Sequence, residues 1–158
     1  MIAWVGIGAN LGDAQANVLD ALERLAWVPG ARLLRASSLY RTAPIDSSGE
    51  DYINAVAEVD TSLSARALLA ALHDIERAHG RERPYRNAPR TLDLDLLLYG
   101  EERIADAPSL IVPHPRMHER AFVLAPLAEL APELLVPGRG RVADLLDCVA
   151  DQAIERMQ

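Results

Sequence analysis

Residues 90–100 read RTLDLDLLLYG, Arg90 to Gly100, and two aspartates interrupt an otherwise apolar run. Side chains alternate along a strand, so a strand here puts Leu92, Leu94, Leu96 and Leu98 on one face. Thr91, Asp93, Asp95, Leu97 and Tyr99 take the other. The all-leucine side is a core face. The two carboxylates share the opposite side, with Cα atoms about 6.7 Å apart, two strand steps.

The elements upstream decide which sheet this strand completes. From about Ser64, Leu68, Leu72, Ile75 and His79 form one helical stripe, and Gly80 is a good left-handed terminator. Before it, YINAVAEVD (52–60) alternates, with Ile53, Ala55, Ala57 and Val59 on one face and Tyr52, Asn54 and Glu58 on the other. LLRASSLY (33–40) reads as a further strand, and IAWVGIG (2–8) as the first. Val18, Leu19, Leu22, Leu25 and Ala26 recur at helical spacing until Pro29 and Gly30. The order is β-α-β-β-α-β, an α+β ferredoxin-like core with a mainly antiparallel sheet and helices packed on it. C-terminal extra helices are expected near Pro126 to Leu130, with Pro126 in the first turn, and around Val142, Leu145, Leu146 and Val149. No linker or repeat divides the chain, so 1–158 is expected to be a single domain.

Composition narrows the chemistry. The net charge is −7, which argues against nucleic acid and anionic membranes as partners. No stretch approaches the roughly 20 apolar residues of a membrane span. The single cysteine, Cys148, excludes an internal disulfide framework and suits a reducing compartment, so a cytoplasmic location is expected. All 16 basic residues are arginine, which removes lysine-dependent chemistry such as Schiff bases and the phosphate-loop lysine.

GIGANLG (6–12) follows a strand and opens a helix, but its third glycine falls one position late for a dinucleotide-binding loop. A strand-to-helix turn, with Asn10 or Asp13 near the N-cap, is the simpler reading.

A D-x-D pair on a strand is most often a solvated face. Here RAHGRERPYRNAPR (77–90) precedes it, with Arg77, Arg81, Arg83, Arg86 and Arg90 against one acid, Glu82. Two like charges on a half-buried face lose hydration and repel, so they favour a cation beside them. Carboxylates next to a guanidinium-rich segment suit a metal-bound polyphosphate: Mg²⁺ takes one or two carboxylates plus water and phosphate oxygens, and arginine forks take the rest. PHPRMHER (113–120) adds His114, Arg116, His118 and Arg120; its H-x-x-x-H spacing fits zinc poorly, because no Glu follows the first His and Pro115 disfavours a helix.

These motifs, with GANLGD (8–13), LYRTAP (39–44), DYINAV (51–56), IERAHGRER (75–83), APRTLDLDLLLYG (88–100) and VPHPRMHERAFVLAPLAELAPEL (112–134), resemble the 6-hydroxymethyl-7,8-dihydropterin pyrophosphokinases of folate biosynthesis. The resemblance implies transfer of a pyrophosphoryl group from ATP to the pterin hydroxymethyl, releasing AMP, with two Mg²⁺ ions on Asp93 and Asp95. It implies catalytic roles for Arg81 and Arg90 beside that pair, and ATP contacts at Leu69, His73, Glu76, Arg81, Arg83, Arg90, Leu110, Ile111, His114 and Arg120. It places the pterin between Tyr52 and Phe122, with Asn54, Thr42, Ala43 and Ile45 along its edge. Asn87 stands where several members carry an aromatic residue, and Pro84 where some carry a basic one. A monomer acting on small molecules is expected. The residues themselves also fit another Mg²⁺-dependent phosphohydrolase or nucleotidyltransferase, or a noncatalytic ferredoxin-like binding module, and reaction products separate the three.

Overall fold

The computed structural model of the chain describes residues 1–10, 13–43, 51–79, 92–106 and 109–157. Its first part contains β1 (Ile2–Ala9), α1 (Ala14–Ala26), β2 (Ala31–Ala36), β3 (Tyr40–Thr42), β4 (Tyr52–Thr61), α2 (Ala65–His79) and β5 (Asp93–Tyr99). β1 lies between β4 and β5, and β2 and β3 both pair with β4, all antiparallel. With β2 and β3 counted as one interrupted strand, the spatial order is fourth, first, third, second, as the β-α-β-β-α-β reading expects.

The interruption has a local cause. Ala36 pairs with Ala57 and Tyr40 with Asn54, so four steps on one strand face three on the other. Ser37 N–H donates to Val56 O at 2.8 Å, and Val56 N–H donates to Ser37 Oγ at 2.9 Å. A hydroxyl thus takes the place of a ladder carbonyl where LLRASSLY was expected to run on as one strand. At the helix starts, Asp13 Oδ1 accepts from Ala16 N–H and Ser64 Oγ from Ala67 N–H, each at 3.1 Å. These side chains satisfy donors that lack intrahelical partners.

One sheet face carries Ala3, Val5, Ile7 and Ala9 of β1, alternate residues of β4, and Leu92, Leu94 and Leu96. It packs on Val18, Ala21 and Leu25 of α1 and on Leu68, Leu72 and Ile75 of α2. Each fully buried leucine here stabilises the fold by about 1.5–3 kcal/mol. His79, at the end of α2, is half-buried against α1, with Nε2 2.6 Å from Asp20 Oδ2.

Strict alternation fails at the end of β5. Trp4 pairs with Leu98 but Val5 pairs with Leu96, so Leu97 is an extra residue, a β-bulge. Past a bulge the parity of side chains is inverted. Leu98 therefore joins Leu97 on the far face, whereas Tyr99 turns into the α1/α2 core and donates its hydroxyl to Leu63 O. The expectation that Leu98 lines the leucine face and Tyr99 the aspartate face is corrected accordingly.

The remainder adds β6 (Ile104–Asp106) and β7 (Leu110–Val112) as a hairpin, a short 3-10 turn at Met117–Glu119, α3 (Ala121–Leu130), β8 (Leu135–Val136), β9 (Gly140–Arg141), α4 (Val142–Asp147) and β10 (Glu155–Arg156), which pairs with β3. Met117, Val123, Leu124, Leu127 and Val142 bury Trp4, Val56, Leu97 and Leu98 on the second sheet face.

Two expectations for this tail change. α3 begins at Ala121, so Pro126 lies inside it and not in its first turn. An interior proline costs about 3 kcal/mol, and burial of Val123, Leu124 and Leu127 on the same helix offsets that cost. α4 ends at Asp147, and Val149 reaches the core from a tightened turn in which its N–H donates to Leu146 O. Among the described residues no helix is long and apolar enough to cross a membrane.

α3 and α4 cover the Trp4 end of this face. The other end, with Gly6, Gly8, Asn54, Asp93 and Asp95, opens into a cavity.

Candidate active site

That cavity, about 380 Å³, has a floor of strand residues: Gly6 and Gly8 of β1, and Asn54 and Val56 of β4. Thr42 and Ala43 form one rim with Tyr52; Arg120, Phe122 and Val123, at the start of α3, form the facing one. Asn54 is only 5% exposed, and its Nδ2 donates to Thr42 Oγ1 at 3.2 Å. A Cβ added to Gly8 would lie 2.8 Å from Asn54 Oδ1, so glycine lets the amide lie close against β1. The result is a flat floor with an oriented amide at its edge and aromatic walls, a shape that suits a planar heterocycle. The Arg120 guanidinium carbon lies 5.3 Å from the Phe122 ring centroid, within cation–π range.

A second cavity, about 240 Å³, opens on the other side of β5. Leu69, His73 and Glu76 of α2 face Leu110, Ile111 and His114 across it. Both walls are tied to the β5 backbone: Glu76 Oε2 accepts from Leu94 N–H, and His114 N–H donates to Leu97 O, each at 2.9 Å. Those bonds fall on either side of Asp95, and Asp95 lines both cavities.

His114 is oriented for donation. Arg116 N–H donates to His114 Nδ1 at 3.1 Å, which assigns the neutral ring's proton to Nε2. Burial holds the imidazole below its usual pKa; Asp95 opposes this, and Arg120 and Arg116 add to it.

The structure thus gathers Thr42, Ala43, Tyr52, Asn54 and Phe122 around the first cavity, and Leu69, His73, Glu76, Leu110, Ile111 and His114 around the second. Arg120 lines the first, beside Asp93 and Asp95. Arg81, Arg83, Arg90 and Ile45 lie outside the described residues, as do Pro84 and Asn87. Sequence reasoning missed Gly6 and Gly8 as cavity floor. The signal was there, two glycines at strand spacing on the Asn54 side, but GIGANLG was read only as a turn.

Among the described residues no three or more His, Cys, Asp and Glu side chains gather as metal ligands. A carboxylate pair at the meeting of two cavities fits a cation that takes one or two protein carboxylates and fills its octahedron with water and phosphate oxygens.

A profile of the family described as 7,8-dihydro-6-hydroxymethylpterin-pyrophosphokinase (HPPK) matches residues 4–132, a span that contains the lining of both cavities. The chain is 42% identical over 155 residues to the 2-amino-4-hydroxy-6-hydroxymethyldihydropteridine pyrophosphokinase of Pseudomonas aeruginosa, covering 98% of this chain and 95% of the relative. It is 40% identical over 157 residues to the protein of that name in Methylorubrum extorquens, covering 99% and 98%. Its fold is similar to that of Plasmodium falciparum HPPK-DHPS wild type, with a TM-score of 0.73 at 13% identity, over 95% of this chain. It spans 41% of that longer chain. Matched from β1 through α3, and alike over nearly the full length of bacterial pyrophosphokinases, the chain belongs to the 7,8-dihydro-6-hydroxymethylpterin-pyrophosphokinase family.

Proposed function

We propose that the two cavities hold 6-hydroxymethyl-7,8-dihydropterin and ATP, and that the protein transfers the pyrophosphoryl group of ATP to the pterin hydroxymethyl oxygen, giving AMP and the pterin diphosphate for folate synthesis. The observation that carries this reading is the position of Asp95, shared by a flat amide-edged cavity and a second cavity on the opposite side of its strand.

In this reading the pterin lies between Tyr52 and Phe122, with Asn54 and Thr42 orienting its polar edge and Ala43 and Ile45 contributing backbone groups. The adenosine part occupies the cavity between Leu69, His73 and Glu76 on one side and Leu110 and Ile111 on the other. The triphosphate then runs past Asp95 towards the hydroxymethyl. Asp93 and Asp95 hold two Mg²⁺ ions, which supply charge neutralisation on the phosphates and a more acidic hydroxyl on the acceptor. His114 donates from Nε2 to a phosphate oxygen, Arg120 binds from the pterin side, and Arg81, Arg83 and Arg90 bind the remaining oxygens. No protein nucleophile is needed, because alignment and charge stabilisation account for most of phosphoryl-type catalysis.

We further take residues 1–158 to act as one catalytic domain and as a monomer in the cytoplasm. Packing of α3 and α4 on the same sheet as α1 and α2 supports the first point, and the single cysteine supports the last.

Purified protein with Mg²⁺, ATP and the dihydropterin should form AMP and pterin diphosphate in equal amounts, read by chromatography of both products. ADP or free phosphate in their place would point to another Mg²⁺-dependent phosphotransfer enzyme, and binding without turnover to a noncatalytic module.

A further inference from the structure

We infer that Glu129 is a positioning residue for the pterin cavity, holding α3 against β3 and so setting the separation of Phe122 from Thr42. The inference rests on the pterin assignment above. Glu129 follows Phe122 by seven residues, about two turns and about 10 Å along the same face of α3. Phe122 lines the cavity at one end of that face, and Glu129 is fastened to the sheet at the other.

The fastening is dense. Glu129 Oε1 accepts from Tyr40 Oη at 2.8 Å and from Ser38 N–H at 3.0 Å. Oε2 accepts from Ser38 Oγ at 3.1 Å and lies 3.4 Å from Arg156 Nη2. Arg156 sits on β10, in register with Tyr40, and its Nε donates to Ser38 Oγ at 3.1 Å. Ser38 belongs to the stretch where the strand along β4 is interrupted, so its N–H bonds this carboxylate in place of a ladder carbonyl. β3 thus takes its position partly from α3. Thr42, two residues beyond Tyr40 on that short strand, is the hydrogen-bond partner of Asn54 on the cavity floor.

Glu129→Gln keeps the shape but turns one carboxylate oxygen into an amide nitrogen facing donors, which breaks about half of the set. The expected result is a KM for the dihydropterin raised about tenfold, equivalent to about 1.4 kcal/mol, with the KM for ATP within about twofold of wild type. Tyr40→Phe, which loses one of these bonds, should raise the pterin KM a few-fold, and the double variant should raise it less than the product of the two. A brace that served stability alone would lower the melting temperature without separating the two KM values. Unaltered pterin KM in folded Glu129→Gln, or equal rises in both KM values, would overturn the inference, and if that variant fails to fold, Tyr40→Phe decides by the same criterion. A wild-type chain that forms no AMP overturns the functional reading and this inference with it, whereas an active wild type with unaltered variants overturns this inference alone.

Discussion

Asp95→Asn is expected to lower turnover by about 1000-fold or more, while the protein stays folded with a melting temperature within a few degrees of wild type. The substitution preserves volume and one acceptor oxygen but removes the negative charge, which on the proposed reading is what holds the metal ions against the phosphates. Asp95 lines both cavities, so on the proposed reading it stands between the two substrates. Folding should tolerate the change. The side chain is half-buried at the open end of the second sheet face, outside both apolar clusters, and removing one of two like charges two strand steps apart relieves repulsion. Asp93→Asn should act in the same direction. Steady-state AMP formation beside a thermal melt checks both; turnover within tenfold of wild type would remove the pair from the chemistry.

Leu97→Ala is expected to destabilise the protein by about 3 kcal/mol, the usual range for a leucine deleted from a well-packed core being about 2–5. For a chain of this size that is a fall of roughly 6–12 °C in melting temperature. Leu97 is the bulge residue, 1% exposed, and its side chain fills the space over Gly6, where an added Cβ would lie 3.4 Å away. Its carbonyl also accepts His114 N–H, so a void beneath it should loosen one wall of the second cavity. A double-mutant cycle tests the bulge itself. Leu98→Ala should couple to Trp4→Ala, its register partner in the same cluster, and should be additive with Leu72→Ala in the cluster across the sheet. The reverse pattern would restore simple alternation along β5.

The parts of the fold that sequence could disclose were those governed by a period. Alternation in YINAVAEVD and in LDLDLL, and the helical stripe ending at His79, are properties of single segments, and the structure repeats them. What was hidden depended on a partner strand or on packing. The bulge at Leu97 appears only when β5 is laid against β1, because the four consecutive apolar or aromatic residues from Leu96 to Tyr99 contain no alternation to break. The split of LLRASSLY depends on Ser37 bonding Val56, a choice made by the neighbouring strand. Pro126 was read by its local preference, and the burial of its helix overrode that preference. The site divides in the same way. Asp93 and Asp95 were legible as a pair because both lie before the bulge. The role of Gly8 became visible only once Asn54 was seen lying against it, and that of Glu129 only through contacts spanning the chain from Ser38 to Arg156.

The proposed function has Asp93 and Asp95 hold the metal ions between two substrates lodged on either side of one strand. Its most direct test is anomalous scattering from crystals grown with Mn²⁺, an unreactive ATP analogue and the dihydropterin. Two manganese peaks are expected, each ligated by a carboxylate oxygen of Asp93 or Asp95, with the pterin ring between Tyr52 and Phe122 and the adenosine between Leu69 and Leu110. Manganese bound away from Asp95, or both ligands lodged in a single cavity, would contradict it.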